Sequence, residues 1–242
     1  LQQFDDLLLA QAVTDLGPVI NRACYLRDAS PHSLDIELTF DPHDGVTEGT
    51  TLVGRIDDLC ANGLVNYRPG SATGRDLVRV YLRHLCINAM ATADTLPNNT
   101  PAQPSYLLDA GHFHAFKPLT RTQARAQLAL WLNYFQAGQA RPLMFIPETG
   151  LAYVSAEGSH DEKLRSAQSK WLDDQGERGD ALDAHYQRLY CFPEDFSADE
   201  FGQIALTLLG PMQKVYHSDK LSELASFVEH ADPASAKAEG AH

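Results

Sequence analysis

Between Leu34 and Asp41 apolar and polar residues alternate without a break, Leu34, Ile36, Leu38 and Phe40 on one side and Asp35, Glu37, Thr39 and Asp41 on the other. Successive strand side chains point to opposite faces of a sheet, so this segment reads as a half-buried strand. Two more strands are expected over Thr51 to Leu59 and Leu64 to Arg68, on either side of Asn62-Gly63. That dipeptide suits a type I′ turn, whose two central residues need positive φ. Leu77, Tyr81, Leu82, Leu85 and Cys86 then recur at helical spacing and predict a helix from about Arg75 to Ala89. Ahead of these elements, Leu8, Ala12 and Leu16 mark a helical stretch from Phe4 to about Leu26, which Gly17-Pro18 divides into two short helices or one kinked helix. Three strands followed by a helix point to an α/β core.

The second half is richer in helix. Thr120-x-x-Gln123 and Ser197-x-x-Glu200 both match the capping box, in which each end of the motif satisfies an orphan amide of the first helical turn. They predict helices from Arg121 to Ala137 and from Ala198 to Leu209, the second stopped by Gly210-Pro211. Pro142 to Ile146 reads as a short buried strand, Asp161 to Leu172 as a helix, and Lys220 to Val228 as another amphipathic helix. The residues after Ala231 offer too little apolar surface to order themselves. The expected organisation is therefore one domain over residues 1–231 and a disordered tail over 232–242, the abrupt start at Leu1-Gln2-Gln3-Phe4 predicting a fragment of a longer protein.

Composition narrows the function classes. With 242 residues, 44% of them hydrophobic, the chain has material for a sizeable core. No apolar run approaches the roughly 18 to 20 residues that a membrane span needs. The 32 acids against 19 bases give a formal charge of -13, which opposes the broad basic surface on which non-specific DNA binding relies. Any nucleic-acid contact must then be local or shared with a partner. Cys24, Cys60, Cys86 and Cys191 lie far apart with no C-x-x-C pair. They predict neither a zinc site nor a disulfide framework, but small buried hydrophobes in a reducing cytoplasm.

The densest candidate chemistry is Gly54-Arg55-Ile56-Asp57 followed by Asn66-Tyr67-Arg68. A metal-dependent nuclease of the PD-(D/E)XK type sets an acid on one strand and an acid-x-lysine triplet on the next, so that carboxylates hold the divalent ion that activates water. Here the first acid is Asp57, while the triplet reads Asn-Tyr-Arg. An amide supplies no anionic oxygen, and a guanidinium stays charged and is no tunable base. A turn centred on Asn62-Gly63 places Asp57 opposite Arg68 and Leu59 opposite Asn66, with Asp57, Asn66 and Arg68 on one face. The expectation is a degenerate site without catalytic, cofactor-binding or metal-binding residues, in which Arg68 pairs with Asp57 where a metal would lie. Against it stands an active nuclease that uses Asp57, with Asp58 or Glu37, to hold Mg²⁺. A plain solvated β-surface is the third reading of the same acids.

Three other groups carry residues of candidate chemistry. His112 and His114 fall on one face of a strand, yet no carboxylate or Cys accompanies them at metal-site spacing, and they are read as surface histidines. Trp131, Tyr134 and Phe135 offer stacking faces for unpaired bases, but inside a capped amphipathic helix they are read mostly as core. Asp173, Asp174, Glu177 and Asp180, among Gly176 and Gly179, lack the EF-hand spacing and are read as a solvated loop.

Asn62 through Gly70, then Val80-Tyr81-Leu82-Arg83-His84-Leu85, resembles the C-terminal domain of RecC, the gamma subunit of exodeoxyribonuclease V. Pro142-Leu143-Met144-Phe145-Ile146-Pro147-Glu148-Thr149-Gly150 is similar to that family's P-L-x-x-x-P-E-x-G run. Lys170-Trp171-Leu172 and Tyr186-Gln187-Arg188-Leu189-Tyr190 resemble its later K-F-L and Y-Q-R-L-W segments. The resemblance covers roughly Phe4 to Tyr216. It implies a PD-(D/E)XK nuclease fold, a mixed central sheet flanked by helices with additional helices in the second half, that has lost catalysis. It also implies a cytoplasmic complex with RecB, which carries helicase and nuclease, and RecD, a second helicase. Such a complex is an ATP-dependent exodeoxyribonuclease that processes double-stranded DNA ends for repair and recombination, and this domain would contact RecD and help to part the duplex. The chain departs from the family by keeping G-R-I-D, as active nucleases do. It lacks the Gln that active relatives carry in the following helix, since none occurs between Arg75 and Met90. An interaction domain without DNA contact remains the alternative outside the nuclease readings.

Overall fold

The computed structural model describes residues 14, 16–27, 31–91, 102–172, 179–190 and 197–231. Residues 16–26 form helix α1, which runs through Gly17-Pro18 rather than breaking there. Leu8 and Ala12, and the expected tail over 232–242, lie outside the described residues. The alternating segment forms β1 (His32–Phe40), which pairs antiparallel with β2 (Thr50–Cys60). β3 (Gly63–Tyr67) follows, then helix α2 (Gly74–Met90), β4 (Ser105–Leu108) and β5 (His112–Phe116). Helix α3 (Arg121–Ala140) carries the reciprocal capping box of Thr120 and Gln123. Helices α4 (Pro147–Ser155), α5 (His160–Leu172), α6 (Ala184–Leu189), α7 (Ala198–Leu208) and α8 (Gly210–Val215) lead to β6 (Tyr216–Lys220) and α9 (Leu224–Ala231).

The six strands lie in sequence order, with β3 and β4 parallel and every other neighbouring pair antiparallel. A parallel pair needs a crossover, and α2 supplies it. The result is a mixed α/β sheet flanked by helices. On one face Ile36, Leu38, Leu64, Leu107 and Phe116 pack under α2 and α3. On the other, Val65, Tyr106, Leu108, Phe113 and Ala115 pack with Val19, Ala23 and Leu26 of α1 and with Leu221 and Leu224. β4 is thereby buried along its whole length, whereas β1 keeps its polar face exposed. A third cluster, with Met144, Ile146, Tyr153, Phe201 and Leu208, joins the helices of the second half.

Several expectations are corrected. Pro142 to Ile146 buries Met144 and Ile146 but forms no strand. Tyr190 donates to the Leu143 carbonyl at 2.9 Å, so part of this backbone is satisfied by a side chain instead of a ladder. α7 does end before Gly210-Pro211 as expected, but this pair then begins α8, proline serving as a helix-start residue. Lys220 ends β6, and the following helix starts only at Leu224. Ser197 accepts from Glu200 N as expected, but its own amide goes to Met144 Sδ at 3.1 Å. Cys60 is buried and Cys86 partly buried, yet Cys24 is exposed. All three are free thiols; Cys191 lies outside the described residues. Among the described residues no helix is long and apolar enough to cross a membrane.

Candidate functional site

The hairpin of β2 and β3 sets the geometry of the candidate site. Cys60 pairs with Gly63 and Leu59 with Leu64, so the turn consists of Ala61 and Asn62, not Asn62 and Gly63. Gly63 takes φ +113, and a Cβ there would sit 2.2 Å from the Pro104 carbonyl oxygen. The Asn62 amide donates to the Leu26 carbonyl at the end of α1, at 3.1 Å. Contacts across the fold therefore move the register away from the one that local turn chemistry favours.

A second irregularity displaces Asp57. β2 takes three steps from Ile56 to Leu59 while β1 takes two from His32 to Leu34, which is a β-bulge. Asp58 within it adopts φ 65, rare for a residue with a side chain. After the two pairs at Leu59 and Cys60, β3 turns to β4, and the Arg68 amide extends that pairing by donating to the Leu108 carbonyl at 2.9 Å.

The three expected site residues consequently do not converge, and the expected Asp57–Arg68 pair does not form. Asp57 accepts from Ser33 Oγ at 2.6 Å and Arg55 Nε at 3.2 Å. These two bonds, foremost that of Ser33, hold its carboxyl below the ordinary range, and the charge of Arg83 adds to the effect. Arg68 instead forms an ion pair with Asp76, in the first turn of α2. Burial raises the Asp76 pKa, but the Thr73 hydroxyl and amide and the Arg68 charge outweigh it, and the net shift is downward. Asn66 lies beneath α2, where Arg83 Nη1 donates to its Oδ1 at 3.0 Å. The cation brought to this position is thus Arg83, which in the sequence stands out only as part of the Val80–Leu85 family segment. Its signal was the row Arg75, Arg79, Arg83 at four-residue spacing along one helix.

The other candidate for the metal, Asp58, is paired with Arg27 of the α1 terminus, and Glu37 is an exposed β1 residue opposite Val53. A divalent ion of the Mg²⁺ class wants several oxygen ligands in near-octahedral array. Asp57, Asn66 and Arg68 do not fit it, since one carboxylate, one amide held by a guanidinium and one cation cannot assemble such a shell. Among the described residues, three metal-type ligands come within reach of one another only at Asp41, His43 and Asp44. There Asp44 already accepts from Asp41 N and from Arg125.

The remaining candidates also find places. His112 is exposed, but His114 is buried and a carboxylate does accompany it: His114 Nε2 lies 3.3 Å from Asp109 Oδ2, and Nδ1 lies 2.7 Å from the Tyr216 hydroxyl. Asp109 accepts further bonds from the amides of Ala72, Gly111 and His112. Trp131 and Tyr134 are partly buried against the third cluster, while Phe135 is 66% exposed. Asp173, Asp174 and Glu177 lie outside the described residues, and Asp180 accepts from Thr149.

The segments that carried the family resemblance gather around the start of α2. Glu148 accepts from the Gly74 amide, at the positive end of the helix dipole. Lys170 Nζ stands 3.7 Å from Glu148, and the Arg75 guanidinium lies 5.4 Å from the centre of the Tyr186 ring. A groove of about 600 Å³ runs beside the site, lined by Ile36, Leu52, Val78, Leu82, Trp131 and Phe135 among others. No curated protein matches the chain. The sequence profile of the RecC C-terminal domain matches residues 1–158, about two thirds of its 242 residues. The chain belongs to the RecC C-terminal domain family.

Proposed function

We propose that this chain is a non-catalytic, nuclease-fold module of the RecC subunit of exodeoxyribonuclease V. In this reading it contacts RecB and RecD in a cytoplasmic complex and helps to guide or split duplex DNA during double-strand break repair and recombination. Family membership supports a place in such a complex. The observation that carries the loss of catalysis is the Arg83–Asn66 hydrogen bond, which sets a guanidinium beside the residue that replaces the acid of the nuclease triplet. The strand, strand, strand, helix, strand order around that residue supports the nuclease ancestry. The apolar groove, with Phe135 exposed in its wall, supports a protein-contact role, because large exposed apolar patches mark interaction surfaces.

Incubation of the subunit, without its partners, with linear duplex DNA and Mg²⁺ or Mn²⁺ tests the catalytic half. No cleavage is expected. Cleavage that disappears in Asp57→Ala would establish the active-nuclease reading instead. Co-purification of tagged RecD with the subunit tests the other half, and association unchanged by removal of this domain would count against it.

A further inference from the structure

The outer face of α2 is built unlike the rest of this acidic chain. Along Gly74–Met90 the exposed positions are 75, 79 and 83, and each is arginine. Four-residue spacing stacks them on one side of the helix, each about 6 Å further along its axis. Arg75 is committed to Asp183 and Tyr186. Arg79 pairs with no described residue, and Arg83 reaches Asn66 at the relic site.

The polarity of that site is inverted relative to a metal centre. Arg83 occupies the oxygen of the Asn66 amide, and Asn66 Nδ2 and Arg68 Nε are both without an acceptor among the described residues. The neighbouring acids are taken: Asp57 by Ser33 and Arg55, Asp76 by Thr73 and Arg68. These two donors are buried and leave the local field positive, so the exposed guanidinium beside them suits an anion. Arginine suits a phosphate in particular, because its planar fork donates to two phosphate oxygens at once.

We propose that Arg79 and Arg83, above Asn66, bind successive backbone phosphates of DNA, so that the former metal position holds the strand without cutting it. This rests on the DNA-guiding function proposed above and locates it. A local row also accounts for how a chain of charge -13 contacts DNA, since the contact involves a few oriented cations and not a basic face.

The test uses the assembled complex with a forked duplex, in EDTA and without nucleotide, and measures affinity across a salt series. Each phosphate contact contributes about 0.9 to the slope of log K against log salt. Arg79→Gln with Arg83→Gln should lower the slope by about 1.8, Arg79→Lys with Arg83→Lys should keep it, and Arg121→Gln with Arg165→Gln should leave it unchanged. A wild-type slope in the first variant overturns the proposal. Photo-crosslinking from positions 79, 53 and 112 separates the two levels. Crosslinks at 79 support the proposal. Crosslinks only at 53 or 112 overturn it while sparing the DNA-guiding function, and none at any position overturns both.

Discussion

The guanidinium of Arg83 donates to Asn66 Oδ1 at 3.0 Å, and so α2, not the neighbouring strand, delivers the cation to the position proposed above as a relic nuclease site. Installing a nuclease triplet there should therefore fail by itself to create metal binding. Asn66→Asp with Arg68→Lys creates a carboxylate, but Arg83 stands ready to neutralise it as an ion pair. No Mn²⁺ binding is expected by calorimetry in that double variant. Adding Arg83→Gln removes the competing cation, and weak binding, with a Kd of about 1 mM or above, is expected only then.

Gly63 is expected to be among the least replaceable residues of the hairpin. Its φ of +113 and the Pro104 carbonyl at 2.2 Å from a built Cβ penalise any side chain twice. Gly63→Ala should destabilise the domain by more than about 2 kcal/mol, measured by urea unfolding. Gly54→Ala is the control, because nothing lies within 4 Å of its Cβ position, and its cost should stay below about 1 kcal/mol.

His84 makes stability depend on pH in a stated direction. The ring is fully buried among Tyr81, Phe116, Ser105 and Asn88. Burial lowers its pKa from 6.5 to about 4, a backbone contact at Lys117 opposing only in part. The unfolded chain then binds a proton that the folded chain refuses, so stability is full above pH 6.5 and falls as pH drops toward 4. The loss is on the order of 3 kcal/mol across that window. Urea unfolding between pH 7.5 and 4 should show it, and His84→Gln should flatten the slope even though its baseline stability is lower.

Asp109 acts in a lower window. Burial raises its pKa, but the amides of Ala72, Gly111 and His112, followed by His114, outweigh burial and lower it overall. A depressed carboxyl stabilises the fold above its unfolded pKa, near 3.8, and the contribution is lost as pH falls through the folded value. Asp109→Asn swaps acceptor oxygen for a donor facing donors, and should cost about 2 kcal/mol at pH 7. Its acid-unfolding profile below pH 4 should be shallower than that of the parent chain. An unchanged profile would mean that the three amides bind the neutral side chain equally well.

How far the fold was legible depended on where each element faces. β1 alternates in the sequence because one of its faces meets water, and its limits came within two residues. Helices α2 and α3 announced themselves by apolar spacing and by the Thr120–Gln123 box. β4 gave no such signal: Ser105–Leu108 is buried on both faces, so no period marks it. Pro142 to Ile146 failed for the opposite reason, since an apolar run satisfies burial in any extended backbone, and only the partners of its amides decide whether it is a strand.

The sequence by itself determined the α/β class, the strand that carries Asp57, and the presence of an amide and a guanidinium at positions 66 and 68, because those follow from local periodicity and from the chemistry of side chains. Tertiary structure alone decided who meets whom. Pro104 and Leu26 moved the hairpin turn to Ala61-Asn62, a bulge at Asp58 turned Asp57 toward Ser33, and α2 set Arg83 over Asn66. The physical reason is that register is a contest between a turn's own conformational preference and the cost of burying a clash or an unsatisfied carbonyl elsewhere in the fold.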